Sequence, residues 1–198
     1  MGLNLEYING QTPIDEDEKE GLLIPTVTTR GELDEFEQLN IDEANQWLLG
    51  KKFNVERVLT ESFVKELHKR MFGNVWKWAG HFRTTDKNIG SDKHRIGIDL
   101  KLLLDDCKYW IKNKIFSEDE IAVRFSHRIV KIHCFANGNG RHSRMMGDIL
   151  IEKCFGQEPF SWGVKNLTDI SKTRTEYIAA LRLADEEDYS ALIKFARE

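Results

Sequence analysis

The sequence predicts one all-α domain with a single hairpin-like excursion. Apolar residues recur at three- and four-residue spacing along most of the chain, the signature of helices with one buried face. Its 198 residues include only 3 Pro and 14 Gly, too few for the many turns of a sandwich or barrel. The one stretch that breaks the helical pattern is short. The length suits one domain built on one core.

Composition excludes several classes of function. Lys and Arg number 29 against 33 Asp and Glu, a net charge of −4, so direct nucleic-acid binding through bulk charge is not expected. No apolar run approaches the ~18–20 residues of a membrane span, and Met1–Ile8 lacks the basic and apolar regions of a signal peptide, so no membrane association is expected. Cys107, Cys134 and Cys154 are widely spaced with no CxxC pair, which points to a reducing cytoplasm.

The elements follow in order. Thr12–Gly21 reads as a short acidic helix, with Thr12 as N-cap, Pro13 first, Asp15 and Glu16 in the first turn and Gly21 as the stop. The next helix starts at Thr28 or Thr29 and runs to about Leu49. Leu33, Phe36, Ile41, Ala44, Trp47 and Leu48 form its stripe, and Asn40 marks a break in it. Val55, Leu59, Phe63, Leu67 and Met71 recur every four residues and predict one helix, stopped by Gly73. In Thr84–Asp99, Ile89 and Ile96–Ile98 flank Gly90-Ser91-Asp92 and predict an exposed hairpin. Helices then resume at Leu100–Asn113, Glu118–His133, Asn139–Phe155, Asp169–Ala184 and Tyr189–Glu198. Residues 1–54 are read as an N-terminal helical extension and 55–198 as the core.

Chemistry concentrates in His133–Arg144, His-Cys-Phe-Ala-Asn-Gly-Asn-Gly-Arg-His-Ser-Arg, between two apolar helices. Gly138-Asn139-Gly140 lets successive N–H groups converge at the start of the following helix, where the dipole favours an anion. Arg141 and Arg144, three apart, share the helical face next to that loop. His133 is suited to proton abstraction near neutral pH. Each feature has a plainer reading: a tight turn, a core histidine, two solvated arginines. Together within twelve residues they compose a phosphoryl- or nucleotidyl-transfer site. A metal hydrolase built on His127, His133 and His142 is the rival, and it lacks a carboxylate at a spacing such as HExxH.

The segment resembles the signature of Fic-domain proteins, HxFx(D/E)GNGRxxR, and keeps His133, Phe135, Gly138, Asn139, Gly140, Arg141 and Arg144. Trp78-Ala79-Gly80 with Phe82-Arg83 and Ile89-Gly90 is similar to the segment that leads into that family's flap. Tyr177-Ile178-Ala179-Ala180-Leu181-Arg182 with Asp188-Tyr189-Ser190 is similar to its C-terminal helices. The whole chain, including the TPIDEDEKEGLL start, also resembles a small subgroup called mobile mystery protein B, which implies a small DNA-binding partner protein.

The resemblance implies a single Fic-type helical domain with a short β-hairpin flap. It implies a protein adenylyltransferase that moves AMP from ATP, with Mg²⁺, to a Ser, Thr or Tyr hydroxyl of a target protein. By the same resemblance His133 is the general base, Gly138, Asn139 and Gly140 form the anion hole, and Arg141 and Arg144 hold phosphates. Ile89, Gly90, Ile96 and Ile98 belong to the flap that docks the target as an added strand.

Cys134 stands where the pattern has Pro. Asn137 stands where it has the acidic Mg²⁺ ligand; its carbonyl coordinates without charge. That keeps two alternatives open, a catalytically weak nucleotide-binding or interaction module and transfer from a different phosphorylated donor. Many Fic proteins carry an inhibitory (S/T)xxxE(G/N) helix whose Glu pairs with the second arginine. Thr28–Glu32 matches in part and makes Glu32 the inhibitory residue, with Glu20 the alternative. Thr29-Arg30-Gly31-Glu32 is equally a T-x-x-E capping box.

Overall fold

The computed structural model describes residues 13–163 and 170–198, and among these the elements are helical with no named strand. Helix α1 is a single turn, Glu16–Lys19, in which the Glu18 carboxylate accepts the Asp15 N–H at 2.9 Å. The expected cap Thr12 lies outside the described residues. Helix α2, Arg30–Leu48, starts at the Thr29 cap, whose hydroxyl accepts the Glu32 N–H. It runs straight through Asn40. That residue is buried and bonds across to the next helical layer, donating to the Arg70 carbonyl and accepting from the Asn74 N–H, each at 2.9 Å.

The predicted Val55–Met71 helix is two pieces, α3 Val55–Val58 and α4 Glu61–Phe72. Thr60 interrupts it by accepting the Phe63 N–H and so restarting the helix. The four-residue stripe survives because Val58, Leu59, Phe63, Leu67 and Met71 all reach the core. Leu33, Ile41, Ala44 and Leu48 of α2 join that same core.

The expected hairpin is not formed. Residues 84–95 are a chain of turns, and α5 begins at Ile96 and runs to Asn113. Ile96-Gly97-Ile98 mimics strand alternation, yet Ile96 is in register with Leu100, Leu103, Leu104 and Cys107 on the buried face of α5. Ile96 is therefore core, whereas Ile98 points outward from the first turn of α5 and Ile89 is exposed on the loop.

Helix α6, Glu118–Ile132, and α7, Asn139–Asp148, pack against each other and carry the His133–Arg144 segment at their junction. Helix α7 continues as a π-helical turn over Ile149–Cys154, which buries three consecutive residues, Ile149, Leu150 and Ile151. Helices α8, Ile170–Asp185, and α9, Ser190–Arg197, close the C-terminal side. The start expected at Asp169 lies outside the described residues. All three thiols are free, and no described helix is long and apolar enough to cross a membrane.

Candidate active site

Loop 133–138 joins α6 to α7, and its shape is fixed from within. His133 ends α6 in a left-handed conformation (φ 57°), uncommon for a residue with a side chain and costing on the order of 1–3 kcal/mol. Phe135 anchors the loop in the core by stacking on buried His68, ring centroids 3.7 Å apart. Asn139 brackets it: its Oδ1 accepts the Phe135 N–H at 3.0 Å and its Nδ2 donates to the Phe135 carbonyl at 2.8 Å. The side chain of Asn139 thus builds the loop, leaving its backbone for a ligand.

Gly138 must be glycine on two counts. Its φ is +76°, and a Cβ there would meet the Phe72 ring at 2.6 Å. Gly138→Ala should therefore destabilise the protein by on the order of 1–3 kcal/mol, read as a lower melting temperature. At Gly140 an added Cβ finds nothing closer than 3.9 Å, so Gly140→Ala should melt near the wild-type temperature. Past Gly138 the first N–H groups of α7 have no helical carbonyl to bond, and the positive end of the helix dipole faces the same space.

Burial, reinforced by the Arg83 cation, pulls the His133 pKa down to about 4, so at neutral pH its imidazole is a free base. His68 accepts the Gly80 N–H at Nδ1 and donates from Nε2 to the Asn137 carbonyl; burial holds it well below the ordinary histidine range. His142 bonds the Val64 carbonyl at 3.0 Å and is depressed by burial to about 4. His127 lies between Tyr189 and Asp185. His127 and His142 of the hydrolase reading are thus committed to separate partners, and no group of three metal-binding side chains occurs among the described residues. Asn137 turns its Oδ1 onto the Gly138 N–H at 2.6 Å. The residues present do not form a divalent-cation cage.

The two arginines differ. Arg141 lies over the Phe72 ring and pairs at 2.6 Å with Glu37, a carboxylate of α2 that is 1% exposed. The other Glu37 oxygen accepts the Trp76 indole N–H at 2.6 Å. Arg144 lies over the Tyr177 ring and has no carboxylate partner among the described residues. Arg174 of α8 is close enough to feel the charges of Arg144 and Arg30, so guanidinium groups from three helices gather there; burial first, then those two charges, lowers the pKa of Arg174.

Neither expected inhibitory glutamate meets an arginine of the motif. Glu32 is exposed and accepts the N–H groups of Thr28 and Thr29, which lower its pKa, the work of a helix cap. Glu20 closes α1. Sequence reading missed Glu37, the carboxylate that pairs with Arg141; Leu33 stands four residues before it, where the inhibitory pattern has Ser or Thr. Its one signal was a charge on the inward face of an amphipathic helix.

Residues 58–151, which include the loop from His133 to Gly138 and the start of α7, match the model of the Fic/DOC family. Among curated proteins it is similar to protein adenylyltransferase Fic of Aedes aegypti, 25% identical over 163 residues, which span 80% of this chain and 31% of that protein. The protein of the same name from Drosophila grimshawi is 28% identical over 169 residues, 79% of this chain and 33% of that one. The chain therefore spans about a third of the length of these relatives. In fold it is similar to a Fic-1 fragment from C. elegans (TM-score 0.68, 24% identity, 90% of this chain and 51% of that one). It also resembles the BepC protein of Bartonella tribocorum, solved with bound AMPPNP (TM-score 0.67, 16% identity, 92% and 97%).

Proposed function

We propose that this chain is a protein adenylyltransferase that moves AMP from ATP to a Ser, Thr or Tyr hydroxyl of a target protein. The observation that carries the reading is a buried, neutral His133 held one loop before a helix start whose dipole favours an anion, in a segment that matches the Fic/DOC family model. The names of its curated relatives and the AMPPNP in BepC support the same reading.

In this mechanism the helix start and Arg141 bind the donor's phosphates, and the basic cluster of Arg144, Arg30 and Arg174 faces their far end. The His133 imidazole takes the hydroxyl proton as the oxygen forms a bond to the α-phosphorus. The bond from that phosphorus to pyrophosphate breaks, and the pyrophosphate leaves with the electron pair. Loop 84–95, with Ile89 and Gly90 at its tip and Ile98 beside it on α5, forms the surface on which the target docks. With no carboxylate of the loop to hold it, Mg²⁺ would be held by the donor's own phosphates and would offset their charge. The site is restrained by a glutamate of the N-terminal region: Glu37 occupies Arg141, while Glu32 and Glu20 serve helix ends. The similarity of the TPIDEDEKEGLL start supports a place in the mobile mystery protein B subgroup with a small DNA-binding partner, and the three free thiols support a cytoplasmic setting.

ATP labelled on the α-phosphate, incubated with the protein, Mg²⁺ and lysate, tests the reading. Label should enter protein as AMP, identified by mass spectrometry on a hydroxyl residue, and γ-labelled ATP should leave none. The neutral Asn137 and the Glu37–Arg141 pair favour a second reading, a nucleotide-binding module with weak transfer. Tight ATP binding without any label transfer would select it.

A further inference from the structure

Arg83 is the most deeply buried cation near the site. Its side chain is fully covered, and Asp86, itself half-exposed, stands 3.9 Å away. Carbonyls take the place of a carboxylate. Nε donates to the His133 carbonyl at 2.7 Å, Nη1 donates to the Thr85 carbonyl at 2.8 Å, and Nη2 donates to the Ser91 carbonyl. The Arg83 backbone N–H donates to the Cys134 carbonyl at 3.0 Å, and the Ser91 N–H donates to the Ile132 carbonyl at 3.1 Å. One guanidinium therefore joins the left-handed turn at His133 to both ends of loop 85–91. Gly90 completes the contact: at φ +100°, a Cβ on it would strike the His133 Cβ at 2.6 Å and the Arg83 Nη2 at 3.0 Å.

We propose that Arg83 is a positioning residue for His133, fixing through one rigid fork both the turn that carries the imidazole and the loop packed over it. This rests on the adenylyltransferase reading for its catalytic meaning, and on geometry alone for its structural part. A planar fork with five donors suits three carbonyls aimed from different directions; an ammonium does not. The choice of a cation has a second effect. Arg83 and Lys87, both from the loop side, face the imidazole and oppose its protonation together with burial, whereas the Val130 carbonyl of α6 favours it. The same residue that aims the base adds to the burial that keeps it in its basic form.

Arg83→Gln and Arg83→Lys separate the two effects. His133 is followed by its imidazole NMR titration, assigned with His133→Ala, and by transfer kinetics with donor affinity measured separately. Arg83→Gln should raise the His133 midpoint toward the ordinary 6.5, and Arg83→Lys should hold it at the wild-type position. Both should lower kcat by about tenfold or more with donor affinity within about twofold, because the turn is no longer held. Gly90→Ala, which strains the loop at an exposed position while its fold is checked by melting temperature, should lower kcat in the same way by lifting the loop from Arg83 and His133. A wild type that transfers nothing would sink the adenylyltransferase reading while the titration arm still tests Arg83. A folded Arg83→Gln protein with wild-type His133 titration and wild-type rate would overturn the proposal, as would a Gly90→Ala protein indistinguishable from wild type.

Discussion

His133→Ala should lower AMP transfer by about 10²–10⁴-fold, the usual cost of removing a general base, while ATP affinity stays within about twofold. In the proposed mechanism the imidazole acts on the acceptor hydroxyl and the donor phosphates meet the start of α7, so removal of one should leave the other intact. The pH profile adds a check. A base with a pKa of about 4 is already deprotonated at neutral pH, so transfer should be level across the neutral range and should fall only as acid protonates His133. An ordinary exposed histidine would lose activity near 6.5. Stability follows the same sign: the folded pKa lies below the unfolded 6.5, so the contribution of neutral His133 is complete above 6.5 and is lost as pH falls toward 4. Near-normal labelling by His133→Ala would end the mechanism.

Glu37→Gln is the second large effect. The glutamine oxygen can still accept the Trp76 indole N–H, but Arg141 loses the charge that neutralises it. Breaking a buried pair by removing one partner typically costs ~3–5 kcal/mol; partial exposure of Arg141 places this pair toward the lower end. The freed guanidinium then seeks another anion. ATP should bind at least tenfold more tightly to Glu37→Gln than to wild type, and saturating ATP should recover most of the lost melting temperature. Transfer should rise with it. Glu32→Gln should melt slightly earlier through a weaker helix cap, with no gain in ATP affinity or labelling. If Glu32→Gln instead labels faster and Glu37→Gln does not, the restraint on Arg141 has no regulatory role.

What sequence alone could reveal divides along contact distance. The loop and its arginines were legible because glycines, histidine and guanidinium groups lie within twelve contiguous residues and each type has a local physical reason. Glu37, His68 and Arg83 shape the same site from 104, 69 and 50 residues away, and no local period announces them. Glu37 and His68 looked like ordinary members of amphipathic helices. Arg83 followed Phe82 in a recognisable segment, but the three carbonyls it serves are a tertiary fact. The errors are equally specific. Thr60 broke a helix whose apolar stripe continued on both sides, since a side-chain cap competes with the backbone without disturbing the buried face. Ile96-Gly97-Ile98 satisfied a two-residue period by coincidence, and the longer α5 face from Ile96 to Cys107 decided the outcome.

The Asn139 bracket has a kinetic consequence. Because Phe135 is held at both its N–H and its carbonyl by the Asn139 side chain four residues on, the cradle exists before any ligand arrives. Association then asks for one side-chain swing, Arg141 leaving Glu37, and no refolding of the main chain. Rotamer exchange of that kind is over in nanoseconds to microseconds, far faster than diffusive encounter at micromolar nucleotide. Mixing the protein with a fluorescent ATP analogue should give a single exponential whose rate climbs linearly with concentration, without the plateau that a slow opening step would impose.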